Sequence, residues 1–314
     1  MAQFESLIAA NKAKSAVLIG LFVLLYTALF FVLVMAVLAR VYGWAIVHDG
    51  AALLTALLGC HIVAVGLAAA CCVGGPGLVI SAVGARPVLR LEDEMLYDVV
   101  DEMAIAAGIQ SPAVYMIESS AMNALATGLG PRKAAIIVTR GLRDGLTRDQ
   151  LQAVVGHEMA RIRDYDIQLM TLVAGLMGIV VLLAEFVKAL FDSKERTPVL
   201  VGVLLAPLAV PVLLAAPALG RLIQLGVSRE RQFLADAAAA QLTRYPEALA
   251  GALEAMASAA APFIANRAVA PLFTIRPASY DGAWEKEDDG SMWSSHPPIA
   301  ERISRLRSIG NIEG

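Results

Sequence analysis

This sequence has little charge, little cysteine and little histidine. Charged residues fill 17% of its 314 positions, against about a quarter in an ordinary soluble domain. The net charge is −3 and no basic run or stripe stands out, so nucleic acid is not an expected partner. Cys60, Cys71 and Cys72 all fall in one apolar stretch. They read as small core or lipid-facing residues and supply neither a disulfide framework nor a thiolate metal cluster. There is no internal repeat and no low-complexity tract. What is plentiful is apolar surface. Hydrophobic residues make up 58% of the chain and the mean hydropathy is +0.67, beyond the roughly 45–50% of soluble domains, which points to lipid as part of the solvent.

Four apolar runs carry that excess. No charged residue lies between Lys14 and Arg40, which is long enough at about 1.5 Å per residue to cross a hydrocarbon core of roughly 30 Å. It is too long for a signal-peptide core and is read as a retained anchor. A second uncharged run covers residues 50–85, and its Gly74-Gly75-Pro76-Gly77 break predicts a helix end near Val73. The third covers residues 167–184 and the fourth residues 197–220, with Pro207, Pro211 and Pro217 as expected kinks. Four spans leave the polar blocks 86–166 and 221–314 on the side of the N-terminus. Lys12, Lys14, Arg86, Arg90, Arg161, Arg163, Arg221, Arg229 and Arg231 flank that side, against Arg40, Lys194 and Arg196 on the other. The positive-inside bias makes it the cytoplasm. Residues 280–295, acidic with Trp284 and Trp293, read as a surface loop or lid.

Within the first polar block, residues 112–117 and 134–139 are short β-branched, apolar runs and predict strands. Thr147 with Gln150 is a capping-box signature that opens a helix. Leu151, Val154, Val155, Met159 and Ile162 give that helix a buried face. No Gly or Pro separates it from the third apolar run, so it is expected to continue into the membrane. It carries His157-Glu158-Met159-Ala160-Arg161. In H-E-x-x-H, two histidines one turn apart hold zinc and the glutamate activates the metal-bound water. Here an arginine stands at the second histidine position.

Further segments extend the likeness. They are Asn123-Ala124-Leu125-Ala126-Thr127-Gly128, then Gly130-Pro131-Arg132-Lys133-Ala134-Ala135. Later come Ser228-Arg229-Glu230-Arg231-Gln232-Phe233-Leu234-Ala235-Asp236, and Ser295-His296-Pro297-Pro298 with Glu301, Arg302 and Ile303. In order and spacing the chain resembles the HtpX family of membrane-bound zinc metallopeptidases, relatives of the CAAX prenyl endopeptidases. The resemblance implies a mainly α, integral membrane protein of four transmembrane helices with a cytoplasmic α+β gluzincin-like domain. Residues 1–85 would hold two membrane helices and 86–166 the first part of the peptidase-like domain. Residues 167–220 would form a membrane hairpin and 221–314 the second part of that domain. It also implies an inner (plasma) membrane location, a role in membrane protein quality control, and peptide or misfolded membrane-protein clients with a possible regulatory membrane partner.

By the same resemblance, His157 is a zinc ligand and Glu158 the general base and acid. Arg161 and Gln232 stand where the other two ligands, a histidine and a glutamate, belong. Asp166 and Asp236 orient ligands, His296 and Arg302 hold the substrate carbonyl, and Asn123 lines the substrate groove. In that fold the strand matching residues 134–139 offers an exposed edge for an extended peptide.

The two substitutions have chemical consequences. Arginine has no lone pair to give and repels a dication, and glutamine lacks the charge of a carboxylate ligand. Zinc is therefore expected to be absent or weakly bound and proteolysis lost. Zinc with a glutamate and arginine with a glutamine carry the same formal charge, so Arg161 is expected in the metal's space, bonded to Gln232 and paired with Glu158 or Asp236. The other possibilities are that Arg161 points into water, or that His157, Asp164, Gln232 or His296 build an atypical metal site. His48 and His61 read as interfacial or helix-packing residues.

Overall fold

The computed structural model describes residues 2–175, 229–259, 263–265, 269–278 and 296–310. Helix α1 (Ala2–Tyr42) and helix α2 (Gly50–Ala82) pair lengthwise. Their stretches Lys12–Ala39 and Gly50–Ala82 are long and apolar enough to cross a membrane. Asp49 caps α2, its Oδ1 accepting from the amides of Ala51 at 2.9 Å and Ala52 at 3.3 Å. Phe22, Tyr26, Ala64, Cys71 and Val79 are buried along the seam. There the Thr27 hydroxyl meets His61 Nδ1 at 3.1 Å, so His61 is a helix-packing residue, while His48 is exposed. Val17, Leu24, Ile62, Val63 and Val73 are each more than half exposed, an apolar outer surface of the kind lipid covers.

The glycine-proline run at 74–77 does not end α2, which continues through Pro76 to Ala82. Of its glycines, Gly75 serves close packing, while a Cβ on Gly74 or Gly77 would meet nothing within 4 Å among the described residues outside the adjoining turns of α2. A Cβ on Gly75 would stand 3.3 Å from the Thr171 methyl, and one on Gly175 would stand 3.7 Å from Cys71 Cβ. Two helices that approach this closely can satisfy the carbonyl that Pro76 frees.

The sheet has four strands: β1 (Arg86–Pro87), β2 (Ala113–Ile117), β3 (Ala124–Gly128) and β4 (Ala134–Thr139), in spatial order β1-β2-β4-β3. β2 and β4 are parallel, with Ala113 opposite Ala135; β3 returns antiparallel to β4, with Ala124 opposite Val138. Gly128 must be glycine, since at φ +149° a Cβ would lie 2.5 Å from the Lys133 carbonyl oxygen. The expected edge at residues 134–139 is therefore corrected. β4 is flanked on both sides by β2 and β3, and the sheet's edge strands are β1 and β3.

Helix α3 (Glu94–Ala107), short α4 (Arg140–Gly145) and α5 (Arg148–Arg163) cover one face of the sheet. The capping box forms as expected: Thr147 Oγ1 accepts from the Gln150 amide at 3.3 Å and Gln150 Oε1 from the Thr147 amide at 3.1 Å. α5 does not run on into the membrane. It stops at a turn over Asp164 and Tyr165, with Tyr165 at φ 59°, because Asp166 must swing back toward Arg161. A new helix, α6 (residues 166–175), sends Leu169, Met170 and Val173 into the cluster shared with α1 and α2. The rest of the third apolar run, all of the fourth, and the 280–295 loop lie outside the described residues. Helices α7 (Arg229–Thr243), α8 (Pro246–Ala257) and α9 (Ile299–Gly310) complete the domain, with α7 and α8 against α5.

Lys12 lies over the Tyr165 ring at 4.3 Å, and α2 leads within a few residues into β1. The start of the first span and the end of the second thus meet the same domain.

Candidate functional site

Helix α5 carries its polar residues inward. His157 and Glu158 are fully buried and Arg161 is 3% exposed, which rules out an arginine that points into water. Arg161 Nη1 donates to Glu158 Oε2 at 3.1 Å and to the Leu272 carbonyl at 2.6 Å, and its Nε donates to Asp166 Oδ2 at 3.1 Å. Arg231, from α7, reaches the other oxygen of Asp166 at 2.7 Å. Burial works against the Arg161 charge, but Glu158 and Asp166 more than compensate and raise its pKa. Burial likewise pulls the Asp166 carboxyl up, and the two arginines hold it below the usual carboxylate range.

Asp236 sits on α7 against a second arginine. Arg302 grips it bidentately, Nε and Nη2 each at 2.7 Å. His157 Nδ1 is 2.8 Å from the same carboxylate, but off the line of a good hydrogen bond. Burial pushes the Asp236 carboxyl up, and Arg302 with His157 overcomes that to hold it well below the usual range. The expected pairing of Arg161 with Asp236 and Gln232 is thus corrected. Asp236 belongs to Arg302, the fork of Arg161 is used on Glu158, Asp166 and Leu272, and Gln232 Oε1 is buried with no partner among the described residues. Three carboxylates face three guanidiniums across the site, so its formal charges cancel.

Residues 272–275 pass beside β3: Leu272 ends a 3-10 turn (Ala270–Leu272), Phe273 is extended, and the chain bends at Thr274 and Ile275. Leu125 bridges Phe273 in antiparallel register, and the Thr274 amide donates to the Ala124 carbonyl at 2.8 Å. His296 and Arg302 both hold carbonyls of this stretch: His296 Nε2 donates to Phe273 at 2.9 Å and Arg302 Nη1 to Thr274 at 2.7 Å. Asn123 donates from Nδ2 to the Ile275 carbonyl at 3.0 Å and accepts the Ile275 amide on Oδ1 at 3.3 Å. The Thr274 hydroxyl donates to Glu158 Oε1 at 2.7 Å. Burial, reinforced by the charges of Arg302, Arg161 and Arg276, pushes His296 down to about 3, so a neutral ring donates through Nε2. Nothing in the sequence marked Thr274 or Arg231: a threonine among apolar residues and one arginine among several carry no signal alone.

The donors do not suit zinc. A tight site takes three or four lone pairs from imidazole, thiolate or carboxylate. No group of three or more His, Cys, Asp or Glu fit to hold a metal is present among the described residues. Buried side-chain polar atoms without a partner are limited there to His157 Nε2 and Nδ1, the latter near Asp236, and Gln232 Oε1. Asp164 is paired with Arg163 at 2.9 Å and His296 faces Phe273, so the atypical metal set is not assembled.

A His-Glu helix beneath a small mixed sheet, with a chain segment beside the edge strand β3 and two apolar helices attached, defines a membrane-associated peptidase-type scaffold. Residues 90–310 match peptidase family M48, and the chain belongs to that family. It is 38% identical over 234 residues to a protease HtpX homolog of Dictyoglomus turgidum, covering 74% of this chain and 75% of the relative. To the protease HtpX homolog of Thermoanaerobacter pseudethanolicus it is 37% identical over 239 residues, covering 74% and 77%. A looser likeness, with TM-score 0.44 and 20% identity, is to the crystal structure of S. mikatae Ste24p, over 80% of this chain and 58% of that one.

Proposed function

We propose that this membrane HtpX-like member of family M48 binds extended peptide, from client membrane proteins, and does not hydrolyse it. The observation that carries this reading is the buried Arg161 guanidinium bound to Glu158. By the family resemblance Arg161 and Gln232 occupy two zinc-ligand positions and His157 the third. A fixed cation in that space repels a dication. It also occupies the Glu158 oxygen that would take a proton from the attacking water, while Thr274 occupies the other. Without a metal nothing brings that water's pKa near 7.

The peptide-binding half of the reading rests on Asn123, His296 and Arg302, each of which aims one donor at a backbone carbonyl of the segment beside β3. Four spans, an inner-membrane location and a cytoplasmic peptidase-like domain fit the apolar runs and the basic residues beside them. A role beside membrane quality control follows the relatives.

The competing reading is an active zinc endopeptidase with an unusual metal site. The unpartnered His157 Nε2 and Gln232 Oε1 favour it. The double change Arg161→His with Gln232→Glu separates the two. It should gain about one zinc per chain, and with it hydrolysis of an unfolded casein substrate, where the unaltered protein has neither. Equal zinc and equal cleavage in both proteins contradicts the proposal.

A further inference from the structure

Four consecutive carbonyls of residues 272–275 are each held by a different site residue. Arg161 holds Leu272, His296 holds Phe273, Arg302 holds Thr274 and Asn123 holds Ile275. One backbone bond to the edge strand, from the Thr274 amide to the Ala124 carbonyl, and a hydroxyl bond to Glu158 complete the set. This is the pattern by which a groove reads a bound strand: main-chain bonds supply affinity, and side-chain bonds at fixed positions supply selectivity. Pro271 and Pro277 bracket the stretch, and since proline cannot donate to a ladder they limit the inserted length to a few residues. Phe273 is anchored on the Phe263 ring, with centroids 4.9 Å apart, and both it and Leu272 lie in the apolar cluster with Leu125 and Ile137.

We infer that residues 272–275 are an internal ligand of the peptide groove. The clients the groove takes are extended segments with a serine or threonine opposite Glu158 and a large apolar residue just before it. The inference rests on the peptide-binding reading above and goes beyond it in naming the ligand class and the resident competitor. Arg161 ties the two together. The side chain that displaces metal chemistry also clamps the first carbonyl of the internal segment. A client must displace this segment, so an added peptide meets a groove already filled from within the same chain, where the effective concentration is high.

The hydroxyl is the selective element. Glu158 is fully buried, so a ligand without a donor at that position leaves its Oε1 with only the long 3.5 Å contact from Arg161 Nη1. A valine there is close in shape to threonine and lacks only that donor.

The test uses the full chain in detergent micelles and a fluorescent peptide with the sequence of residues 269–278. In a Thr274→Val protein, which loses the internal hydroxyl bond to Glu158, this peptide should bind about tenfold or more tightly than in the unaltered protein. The same peptide with valine in place of its threonine should show no such gain. Should the Thr274→Val chain fail to fold, hydrogen exchange in the unaltered protein decides the matter. Saturating peptide should speed exchange of the Thr274 and Ile275 amides, which bond to Ala124 and Asn123, as the internal segment leaves. Equal affinity in both proteins overturns the inference, as does no binding in either or binding with exchange at 272–275 unchanged. Mass spectrometry of the recovered peptide distinguishes the other failure. A cleaved peptide together with bound zinc sinks the non-hydrolytic reading, whichever way the exchange falls.

Discussion

The two sides of this site meet the rest of the protein on different terms. Toward α7, His157 Nε2 and Gln232 Oε1 are buried without partners among the described residues. Toward residues 272–275, Glu158, Arg161, Asn123, His296 and Arg302 are bonded to backbone or to one another. A buried polar atom left unpaired costs about 1–3 kcal/mol, so the first side is a residue of unmet bonding and the second a saturated network. The contrast indicates where function persists. The groups that would meet a peptide backbone keep their bonds, and the groups that would meet a metal do not.

The largest expected effect is at the hinge between the two sides. Arg161→Ala leaves Glu158 and Asp166 without a shared buried partner, and breaking such a pair costs about 3–5 kcal/mol. Its melting temperature in detergent should fall by many degrees; an unchanged value would mean that the guanidinium does not hold the site. Next comes the groove side. Asn123→Ala removes two bonds to Ile275 and one to the Ala124 amide, for a loss of about 1–3 kcal/mol. It should be accompanied by faster hydrogen exchange at residues 272–275, and slow exchange there would detach Asn123 from the segment.

On the opposite side Gln232→Met should cost less than Asn123→Ala, because the carbonyl oxygen it removes has no partner among the described residues. A melting temperature lowered as far as by Asn123→Ala would erase the contrast between the two sides.

The effect of pH is read as a slope and not as a single loss. His296 titrates near 6.5 in an unfolded chain and at about 3 in the folded one. Between those values the unfolded chain binds the additional proton. Stability is therefore fully present above about pH 6.5 and declines as pH falls toward 3, by up to about 1.4 kcal/mol per pH unit. His296→Gln should flatten that part of the melting profile, and an identical slope in the variant would remove His296 as its source.

Much of the scaffold was legible because its signals are local. The capping box of Thr147 and Gln150, the strands at 113–117 and 134–139, and the two long apolar helices depend on near neighbours in sequence and formed as expected. The edge was placed at residues 134–139 by the family resemblance, and the small residues 124–128 gave no alternating pattern to correct it, so only the pairing of the two strands reveals which lies outside. The partner of Arg161 was also misjudged. Asp166 is drawn in by the turn at Tyr165, a backbone change that no glycine or proline announced. The glycines at 74–77 read as a stop because the use of Gly75 is a contact with Thr171 of α6, roughly a hundred residues away. In each instance a distant contact overrode the local rule.

The most direct measurement is the metal content of the purified, unaltered protein, read by elemental mass spectrometry after equilibration with excess zinc and removal of the free ion. Far less than one zinc per chain is expected, with no peptide hydrolysis that a chelator can abolish. One zinc per chain seated beside His157, with cleavage lost on chelation, would contradict the assignment of this protein as a peptide-binding relative of its hydrolytic family.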